Sequence, residues 1–583
     1  MMSPSAAPTS PKTKPARWIE PILVDLPADW GTPSIVSKIL WKRGFRTAEE
    51  VRRFMQPSLD HLHDPMTMAG MPAAVDRLRR AIDNQEKVLL YGDYDVDGTT
   101  SVVILKTALK LAGLESGFHV PHRLKDGYGM HPEVIDRAAA EGVKLIISVD
   151  TGIRAGAVVK QANALGIDCI VTDHHLPEEE LPPAVAVLNP NRLDCNYPEK
   201  GLCGAGVTFK LIQALFESLG WEAARRHKIL GSLLKLVAVA TVADVVPLVG
   251  ENRIIVHHGL LDLAATRNHG LRALLDVSGF EPHQSPSAGQ VAFRIAPRIN
   301  AAGRMANAGD AIEMFLTADG PRARALAEQL NAHNTERQQT EQEIIAQILR
   351  ECDAIPVTDD MHALVFAGEN WHKGVVGIVA SRMVDRFHRP AFVLSIDIET
   401  GRVQGSGRSA ANFHLLNGLE SMADLFVKFG GHKQAAGLTL EFARLEEFRE
   451  RFQQVAQSQL SSDDFRKTHE VDAMVSLTEL NDATAAAILS MAPFGMGNAA
   501  PLLAAKDVEL ASHGEVFADK HLRLKFRHNG RTLTMKAWDL GHHAETLRAG
   551  QRMDVLFTVE DDPYSASRGY SPWSATLKDF RLV

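Results

Sequence analysis

The sequence predicts an α/β protein with four parts: a parallel sheet with a helical cap, a long connecting helix, a second α/β domain and a C-terminal β-barrel. Short apolar strands alternate with amphipathic helices between residues 87 and 190, as in repeated βαβ units. Charged, helix-forming sequence fills residues 316–355, and the C-terminal part is rich in strand patterns. Because 583 residues exceed one hydrophobic core, several folding units are expected.

Composition limits the class of protein. Apolar residues make up 45% of the chain, and Lys235 and Asp244 interrupt its long apolar stretch, which argues against a membrane protein. The four cysteines have neither zinc-site spacing nor the density of a secreted disulfide scaffold, so a reducing cytoplasm is expected. With a formal charge of -8, any surface that binds nucleic acid is expected to be local.

The N-terminal third is predicted to contain three segments. Residues 1–17 are rich in Pro, Ser, Thr and Ala and lack the apolar centre of a secretory signal, so they are expected to form a disordered tail. A helical segment is expected over residues 18–85. The first α/β domain is then expected over residues 86–315, with parallel strands that begin near Lys87, Lys144, Asp168 and Val185 and a helical cap after Pro190.

Three further units are predicted after the cap. A connecting helix is expected over residues 316–355 and the second α/β domain over residues 356–460. A barrel of the OB type is expected over residues 468–583. Here the apolar residues between Leu522 and Phe526 alternate with basic residues. Asn529-Gly530 follows and is a strong signal for a two-residue hairpin turn.

This hairpin predicts a basic face on the barrel. Alternation places His521, Arg523, Lys525 and Arg527 on one side, and OB barrels often bind oligonucleotides on such a face. A solvated edge strand is the alternative interpretation. Phe517, Trp538 and Trp573 are either stacking platforms for bases or core residues.

Acidic residues and histidines follow three predicted strands of the first domain. Because the carboxyl ends of parallel strands share one rim, these side chains are expected to lie together. The mixture of carboxylate and imidazole favours Mn²⁺ or Mg²⁺ over a thiolate zinc site. Asp244, near the end of a predicted helix, is a candidate fourth source of ligands. The residues at the three strand ends are Asp93, Asp95, Asp97, Asp150, Asp173, His174 and His175.

Two metal ions at this rim would serve phosphoester hydrolysis. Such a pair activates a water and stabilises the attacking and leaving oxygens, with the ions about 4 Å apart, and Asp150 is a candidate bridge between them. Each part also has a structural alternative: acids that cap a helix, a packed His pair, or an Asp that only shapes a turn. The joint placement at three strand ends favours the metal site.

The motifs resemble those of the DHH phosphoesterases. A glycine-rich stretch resembles the accessory DHHA1 domain, and two further stretches resemble RecJ-type exonucleases. The resemblance runs from about residue 35 to the C-terminus. The DHH motifs are Asp93-Tyr-Asp-Val-Asp-Gly98, Asp150-Thr-Gly152, Asp173-His-His175 and Asp244. The other stretches are Gly430-Gly-His-Lys-Gln-Ala-Ala-Gly437, Phe293-Arg-Ile-Ala-Pro-Arg-Ile-Asn-Ala-Ala-Gly-Arg304 and Pro493-Phe-Gly-Met-Gly-Asn498.

The resemblance implies an exonuclease specific for single-stranded DNA that digests from the 5′ end, releases mononucleotides and acts in DNA repair and recombination. It also implies two Mn²⁺ or Mg²⁺ ions, a monomer, and a single-stranded-DNA-binding protein and a RecQ-type helicase as partners. A DHH phosphodiesterase for short oligonucleotides or cyclic dinucleotides is the alternative. A scaffold without activity is a third interpretation, which the full set of ligands disfavours.

Residue roles follow from position in the motifs. The resemblance assigns Asp97, Asp150, His174 and Asp244 to one metal, and Asp95 and Asp150, with Asp93, to the other. His175 would contact the scissile phosphate. These assignments also make Asp150 and His175 the candidate catalytic residues.

The resemblance also implies a pocket for the terminal 5′ phosphate at Arg123, Arg304, Ser406 and Arg408, which agrees with the ability of guanidinium groups to hold phosphate oxygens in pairs. The alternatives are structural salt bridges and a simple hairpin turn at Gly405-Ser-Gly. Further DNA contacts are expected at Gly431, His432, Arg523 and Lys525. For the glycine-rich stretch, a tight turn that starts a helix is the alternative.

Overall fold

The computed structural model describes residues 15–22, 30–123 and 125–583. Residues 1–14 of the expected disordered tail lie outside the described residues. Arg17, expected in that tail, instead begins strand β1 (Arg17–Ile19), which pairs in parallel with Thr468–Glu470. Three helices follow: α1 (Ser34–Lys42), α2 (Ala48–Met55) and α3 (Met71–Asp83).

The N-terminal helical segment is divided between two hydrophobic cores and is not a separate unit. Buried residues of α1 and α2, such as Ile39 and Val51, pack with the C-terminal barrel. Helix α3 packs through Leu78 in the core of the first α/β domain. At the junction, Arg253 Nε donates to Phe54 O at 2.9 Å, and its Nη1 donates to Met491 O at 2.8 Å. Arg253 of the first domain therefore contacts both the N-terminal helical segment and the segment that leads into the barrel.

The first α/β domain contains a five-stranded sheet in which all strands are parallel, in the order β3-β2-β4-β5-β6. The predicted strands are present, and β3 is an additional edge strand. Apolar β4 is fully buried, as expected for a central parallel strand. The elements are β2 (Val88–Tyr91), α4 (Val96–Leu111), β3 (Ser116–His119), α5 (Pro132–Ala140), β4 (Leu145–Val149), α6 (Gly156–Ala164), β5 (Asp168–Thr172) and β6 (Ala186–Leu188).

The helical cap follows the sheet, as the sequence predicts. Its helices share one large core with α3, α4 and one face of the sheet. A π-helical turn over Val291–Ile295 leads directly into the twelfth helix. The cap helices are α7 (Gly204–Ser218), α8 (Ala223–Ala243), α9 (Gly250–Leu261), α10 (His269–Val277), α11 (Ala288–Gln290), α12 (Ala296–Met305) and α13 (Gly309–Leu316).

A single helix, α14 (Gly320–Ala354), connects the two α/β domains. Its 35 residues span about 52 Å at the usual rise per residue. The second domain has a five-stranded mixed sheet in the order β10-β11-β9-β8-β7. Its elements are β7 (Leu364–Glu369), α15 (Val376–Phe387), β8 (Ala391–Asp397), β9 (Arg402–Arg408), α16 (Leu415–Glu420), β10 (Phe426–Gly431), β11 (Ala435–Glu441) and α17 (Leu445–Gln459).

The C-terminal unit is a closed five-stranded barrel. Strands β14, β18, β19, β17 and β16 pair in that order, and a β14–β16 pairing closes the ring. No helix among the described residues combines the length and apolar character needed to cross a membrane. The elements are β12 (Thr468–Glu470), β13 (Ala473–Met474), α18 (Asp482–Leu489), β14 (Leu503–Leu510), β15 (Glu515–Phe517), β16 (His521–His528), β17 (Arg531–Ala537), β18 (Arg552–Asp561), α19 (Pro563–Ala566) and β19 (Trp573–Leu582).

Candidate metal centre and anion pocket

The structure brings the predicted metal ligands together at the carboxyl ends of β2, β4 and β5. Their ligand atoms form three overlapping groups, and within each group these atoms lie within 4.8 Å of one another. Asp150 belongs to two groups and His174 to two, so the groups form one continuous cluster. The groups are Asp93, Asp95 and Asp150; Asp97, His174 and Asp244; and Asp150, His174 and His175.

His174 lies at the centre of the carboxylates. Its Nε2 is 3.2 Å from Asp150 Oδ1, 3.6 Å from Asp244 Oδ2 and 3.8 Å from Asp97 Oδ2. Burial lowers the pKa of His174, although Asp97 acts in the opposite direction. The imidazole is therefore neutral at neutral pH and does not balance the charge of the acids. Its nitrogen is instead available as a ligand.

The start of α7 holds one carboxylate of the cluster. The backbone N–H groups of Gly204 and Ala205 donate to Asp97 Oδ2 and Oδ1 at 2.5 and 2.7 Å. A Cβ atom at Gly204 would lie 2.6 Å from the Cβ of Asp150, so only glycine allows the helix to approach this closely. This helix start was not predicted as part of the site, although its Gly-Ala-Gly sequence was a usable signal.

Two acids occupy special backbone positions. Asp150 has φ of +59°, a strained conformation that Asp tolerates better than most residues and that turns the chain at the end of β4. Asp95 is the N-cap of α4, and its Oδ1 accepts from Gly98 N at 3.0 Å. The helix-capping alternative is thus correct for Asp95, yet the same carboxylate also belongs to the metal-binding group. Capping and ligand roles coexist.

Helix α12 buttresses the loop of Asp93, Asp95 and Asp97. Asn300 Oδ1 accepts from Val96 N at 3.2 Å. A Cβ atom at Gly303 would lie 2.6 Å from Tyr94 O, which requires glycine at this close approach. The stretch that ends at Arg304 therefore supports the metal loop from the cap, a role that the sequence pattern did not reveal.

His175 is held by Asp173, a residue predicted at the same strand end but without a specific role. His175 Nδ1 lies 2.7 Å from Asp173 Oδ1, and the same oxygen accepts from the backbone N–H groups of His174 and His175. Burial alone would lower the pKa of His175, but the contact with Asp173 outweighs it and raises the pKa above its ordinary value. His175 therefore keeps its second ring proton to a higher pH than an ordinary histidine does.

The cluster fits divalent cations. Burial, followed by repulsion from neighbouring acids, raises the pKa values of Asp93, Asp150 and Asp244 well above normal. Four inward atoms have no hydrogen-bond partner among the described residues. A buried set of this kind requires a counter-charge, and oxygen with imidazole ligands suits Mn²⁺ or Mg²⁺. The four atoms are Asp93 Oδ1, Asp150 Oδ1, Asp244 Oδ2 and His174 Nε2.

A group of guanidiniums borders the metal loop. The Arg123 guanidinium lies 4.9 Å from the ring centre of Tyr94, directly before Asp95 in the chain. Burial, together with the positive charges of Arg123, Arg337 and Arg408, lowers the pKa of Arg304 to about 9. Arg304 has no carboxylate partner within hydrogen-bond range among the described residues; its Nη1 donates to Gly374 O at 2.9 Å. Because these positive charges repel one another, an anion that binds between them would relieve the repulsion.

The second domain contributes the other side of this pocket. Ser406 and Arg408 lie on β9, which pairs with both β8 and β11, so the hairpin-turn alternative for Gly405-Ser-Gly is wrong. A Cβ atom at Gly377, in the first turn of α15, would lie 3.2 Å from Arg408 Nη2 and 3.5 Å from Ser406 Oγ. The four predicted pocket residues therefore come from three separate parts of the chain: Arg123, Arg304, and Ser406 with Arg408 on β9.

The glycine-rich stretch forms the β10–β11 hairpin, so the alternative of a turn that starts a helix is wrong. His432 N donates to Ala435 O at 2.8 Å and closes this hairpin. Gly431 and His432 face His174 and His175 across a cavity of about 680 Å³. Both predicted contacts of the second domain thus lie beside the metal cluster.

The predicted basic face of the barrel is present on β16. Leu522, Leu524 and Phe526 are buried, whereas Arg523 and Lys525 are exposed. Arg523 Nη1 donates to Glu515 Oε2 at 3.1 Å, so part of its charge is balanced within the protein. Among the aromatic candidates, Trp573 is a core residue, and Trp538 is 48% exposed beside His521 and Phe517.

Comparison with known families covers all three folded units. Residues 87–241 match the DHH family, N-terminal domain; residues 360–458 match the DHHA1 domain; and residues 471–570 match the RecJ OB domain. A single-stranded-DNA-specific exonuclease RecJ from Dickeya dadantii is 39% identical over 79% of this chain and 82% of its own length. The chain belongs to the RecJ family of single-stranded-DNA-specific exonucleases.

Other RecJ proteins extend the comparison. The RecJ of Bacillus subtilis is 37% identical over 90% of this chain, which spans 65% of that relative's length. The crystal structure of Thermus thermophilus RecJ in complex with Mn²⁺ superposes with a TM-score of 0.81 at 29% identity and covers 97% of this chain and 79% of that one. A second structure of the same protein holds Mg²⁺. These are the two cations that the donor atoms of the cluster favour.

Proposed function

We propose that the chain is a single-stranded-DNA exonuclease that digests from the 5′ end, releases mononucleotides by two-metal hydrolysis, and acts in DNA repair and recombination. The observation that carries this proposal is the guanidinium pocket beside the metal loop. Arg123 and Arg304 form one side of it, and Ser406 and Arg408 form the other. A pocket that holds a terminal phosphate positions the next phosphodiester of the strand at the cluster, which defines an exonuclease.

The metal ligands have distinct tasks in this proposal. Asp97, Asp150, His174 and Asp244 would hold one ion, and Asp93, Asp95 and Asp150 would hold the other. Such ions would supply a water of lowered pKa and a positive charge that stabilises the phosphate in the transition state. The protein contributes fixed ligand positions: α7 orients Asp97, the strained turn orients Asp150, and α12 supports the loop between Asp93 and Asp97.

His175 is proposed to contact the scissile phosphate. Asp173 fixes its ring through Nδ1, which leaves Nε2 as the group that can donate to a phosphate oxygen or to the leaving oxygen. Because the pKa of His175 is raised, the ring carries a proton over a wider pH range than an ordinary histidine. Asp173 is therefore a positioning residue for this step.

A nuclease assay on end-labelled strands tests the function. With Mn²⁺, the protein should convert a 5′-phosphorylated single strand into mononucleotides in order from the 5′ end, and a blunt duplex should resist. Digestion that starts only at 3′ ends would contradict the polarity. The dependence of the rate on strand length distinguishes the exonuclease from the alternative function. Much faster hydrolysis of dinucleotides than of long strands would indicate a phosphodiesterase for short oligonucleotides, in which the barrel has no role.

The barrel is proposed to hold the strand beyond the active site. The exposed Arg523 and Lys525 supply the charge, and Trp538 offers a face on which a base can stack. A cytoplasmic location remains a prediction from the cysteine pattern. A monomer, and partners such as a single-stranded-DNA-binding protein and a RecQ-type helicase, remain predictions from the family resemblance.

A further inference from the structure

Helix α14 buries one stripe of side chains along its length, and the middle of this stripe is polar. Leu326 and Leu330 pack in the core of the first domain, and Ile344 and Ile348 pack in the core of the second. A charged side chain is costly to bury unless it is paired. The polar segment therefore requires a function beyond joining the domains. Its buried residues are Asn334, Arg337 and Glu341.

Glu341 uses both carboxylate oxygens. Oε2 accepts from Arg337 Nη1 at 2.6 Å within the helix, and Arg337 Nη2 also donates to Asn334 at 2.8 Å. Oε1 accepts from Arg382 Nε at 3.1 Å, and Arg382 belongs to α15 of the second domain. The Glu341 side chain is only 9% exposed, whereas that of Arg382 is 53% exposed. This contact thus crosses from the connecting helix to the second domain.

The same helix α15 borders the anion pocket. Its first turn, at Gly377, lies against Ser406 and Arg408. Directly before this turn, Gly374 O accepts from Arg304 Nη1 at 2.9 Å. Besides its apolar packing, helix α15 therefore receives two polar contacts from outside its own domain: from Arg304 just before its start and from Glu341 at Arg382, five residues after Gly377.

We propose that the Glu341–Arg382 contact is a tether that positions α15 and so sets the distance between the two sides of the terminal-phosphate pocket. The inference rests on the proposed function, because only end recognition gives this distance a consequence. Glu341 and Arg382 are positioning residues. Without the tether, Arg304 from the first domain and Arg408 from the second are held less firmly at the distance that one phosphate group requires, while the metal ligands, all in the first domain, stay in place.

The test compares 5′-phosphorylated and 5′-hydroxyl strands of one sequence. Arg382→Met should raise KM for the phosphorylated strand about three- to tenfold and leave kcat and the hydroxyl strand unchanged, in keeping with the strength of a partly exposed ion pair. Arg382→Lys should restore part of the loss. Glu341→Gln should raise KM for the phosphorylated strand in the same way. The double variant of Glu341→Gln and Arg382→Met should have a KM no higher than that of the more affected single variant.

Arg386→Met is the matched control. Arg386 lies one turn further along α15, is exposed, and has no ion pair among the described residues. The tether is refuted if Arg382→Met keeps the parent KM for the phosphorylated strand. It is also refuted if kcat falls equally on both strands together with the melting temperature, because that result describes a general structural contact. A parent protein that ignores the 5′ phosphate or digests from 3′ ends instead refutes the proposed function.

Discussion

The metal cluster and the terminal-phosphate pocket are neighbours, but the protein builds them in different ways. Most ligands of the cluster follow strands β2, β4 and β5 of one parallel sheet, so the sheet itself brings them together. The pocket joins Arg123 and Arg304 of the first domain to Ser406 and Arg408 of the second. Its geometry therefore depends on how two domains are held.

Because the cluster lies within one domain and the pocket lies between two, we expect hydrolysis and recognition of the strand end to respond to different substitutions. Changes within the cluster should act on kcat, because its ligands are fixed by a single rigid domain. Changes in the pocket should act on KM and on the choice of strand end, because the proposed pocket would contact only the terminal phosphate. Substitutions in the two regions should therefore have different kinetic effects.

The largest effect is expected at Asp150, which belongs to two of the metal-binding groups. Asp150→Ala should lower kcat more than about 100-fold, above the loss from an outer-shell partner, and leave single-strand affinity unchanged. Asp150→Asn is a second variant, since Asn tolerates the positive φ of this residue better than Ala.

Single-turnover hydrolysis and fluorescence anisotropy with a labelled strand measure the two quantities. Asp194→Ala, at an exposed carboxylate paired with Arg192, is the control and should behave like the parent. Parent-like hydrolysis by both Asp150 variants would eliminate the proposed site. A loss of affinity equal to the loss of rate would show that the two regions are not independent.

An intermediate effect is expected at Arg408. Arg408→Gln removes a charged donor to the terminal phosphate, so KM for a 5′-phosphorylated strand should rise about 10- to 100-fold with little change in kcat. A 5′-hydroxyl strand should be cleaved as by the parent. Arg402→Gln, at the exposed start of the same strand β9, is the matched control. An equal loss on both strands would place Arg408 outside end recognition.

The metal site was predictable from the sequence because its residues are local. Asp93 to Asp97, Asp150 and His174 each follow an apolar strand, and parallel strands deliver such residues to one rim. The pocket was not predictable in this way, since isolated arginines have many structural uses. Arg304 and Arg408 were identified only through the family resemblance, which carries information on three-dimensional contacts that the residues alone do not provide.

The sequence also predicted the fold only in part. The βαβ alternation predicted the first sheet but missed β3, because Ser116-Gly-Phe-His119 is short and contains glycine. The apolar faces of α1 and α2 indicated burial but not the partner, and the structure places them against the barrel from the other end of the chain. Periodicity shows which face is buried; it does not show what covers it.

The smallest expected effect concerns stability without metal. Burial, followed by Asp97 and Asp95, raises the pKa of Asp244 above its ordinary value. A carboxyl whose pKa is raised by folding contributes stability that is complete below the unfolded pKa and is lost as the pH rises through the folded pKa. At neutral pH, which lies above the unfolded pKa, burial of this carboxyl therefore destabilises the metal-free protein, and Asp244→Asn should raise its melting temperature by a few degrees.

Thermal unfolding in a chelator, at a fixed scan rate, measures this effect. The difference between Asp244→Asn and the parent should disappear at acidic pH, where Asp244 is protonated in both states. Added Mn²⁺ should stabilise the parent more than the variant, because binding to the folded state alone raises stability. Arg408→Gln, which keeps all the proposed ligands, should be stabilised by Mn²⁺ as much as the parent. If Asp244→Asn melts at or below the parent temperature without metal, the acids of the cluster do not repel one another as the geometry requires.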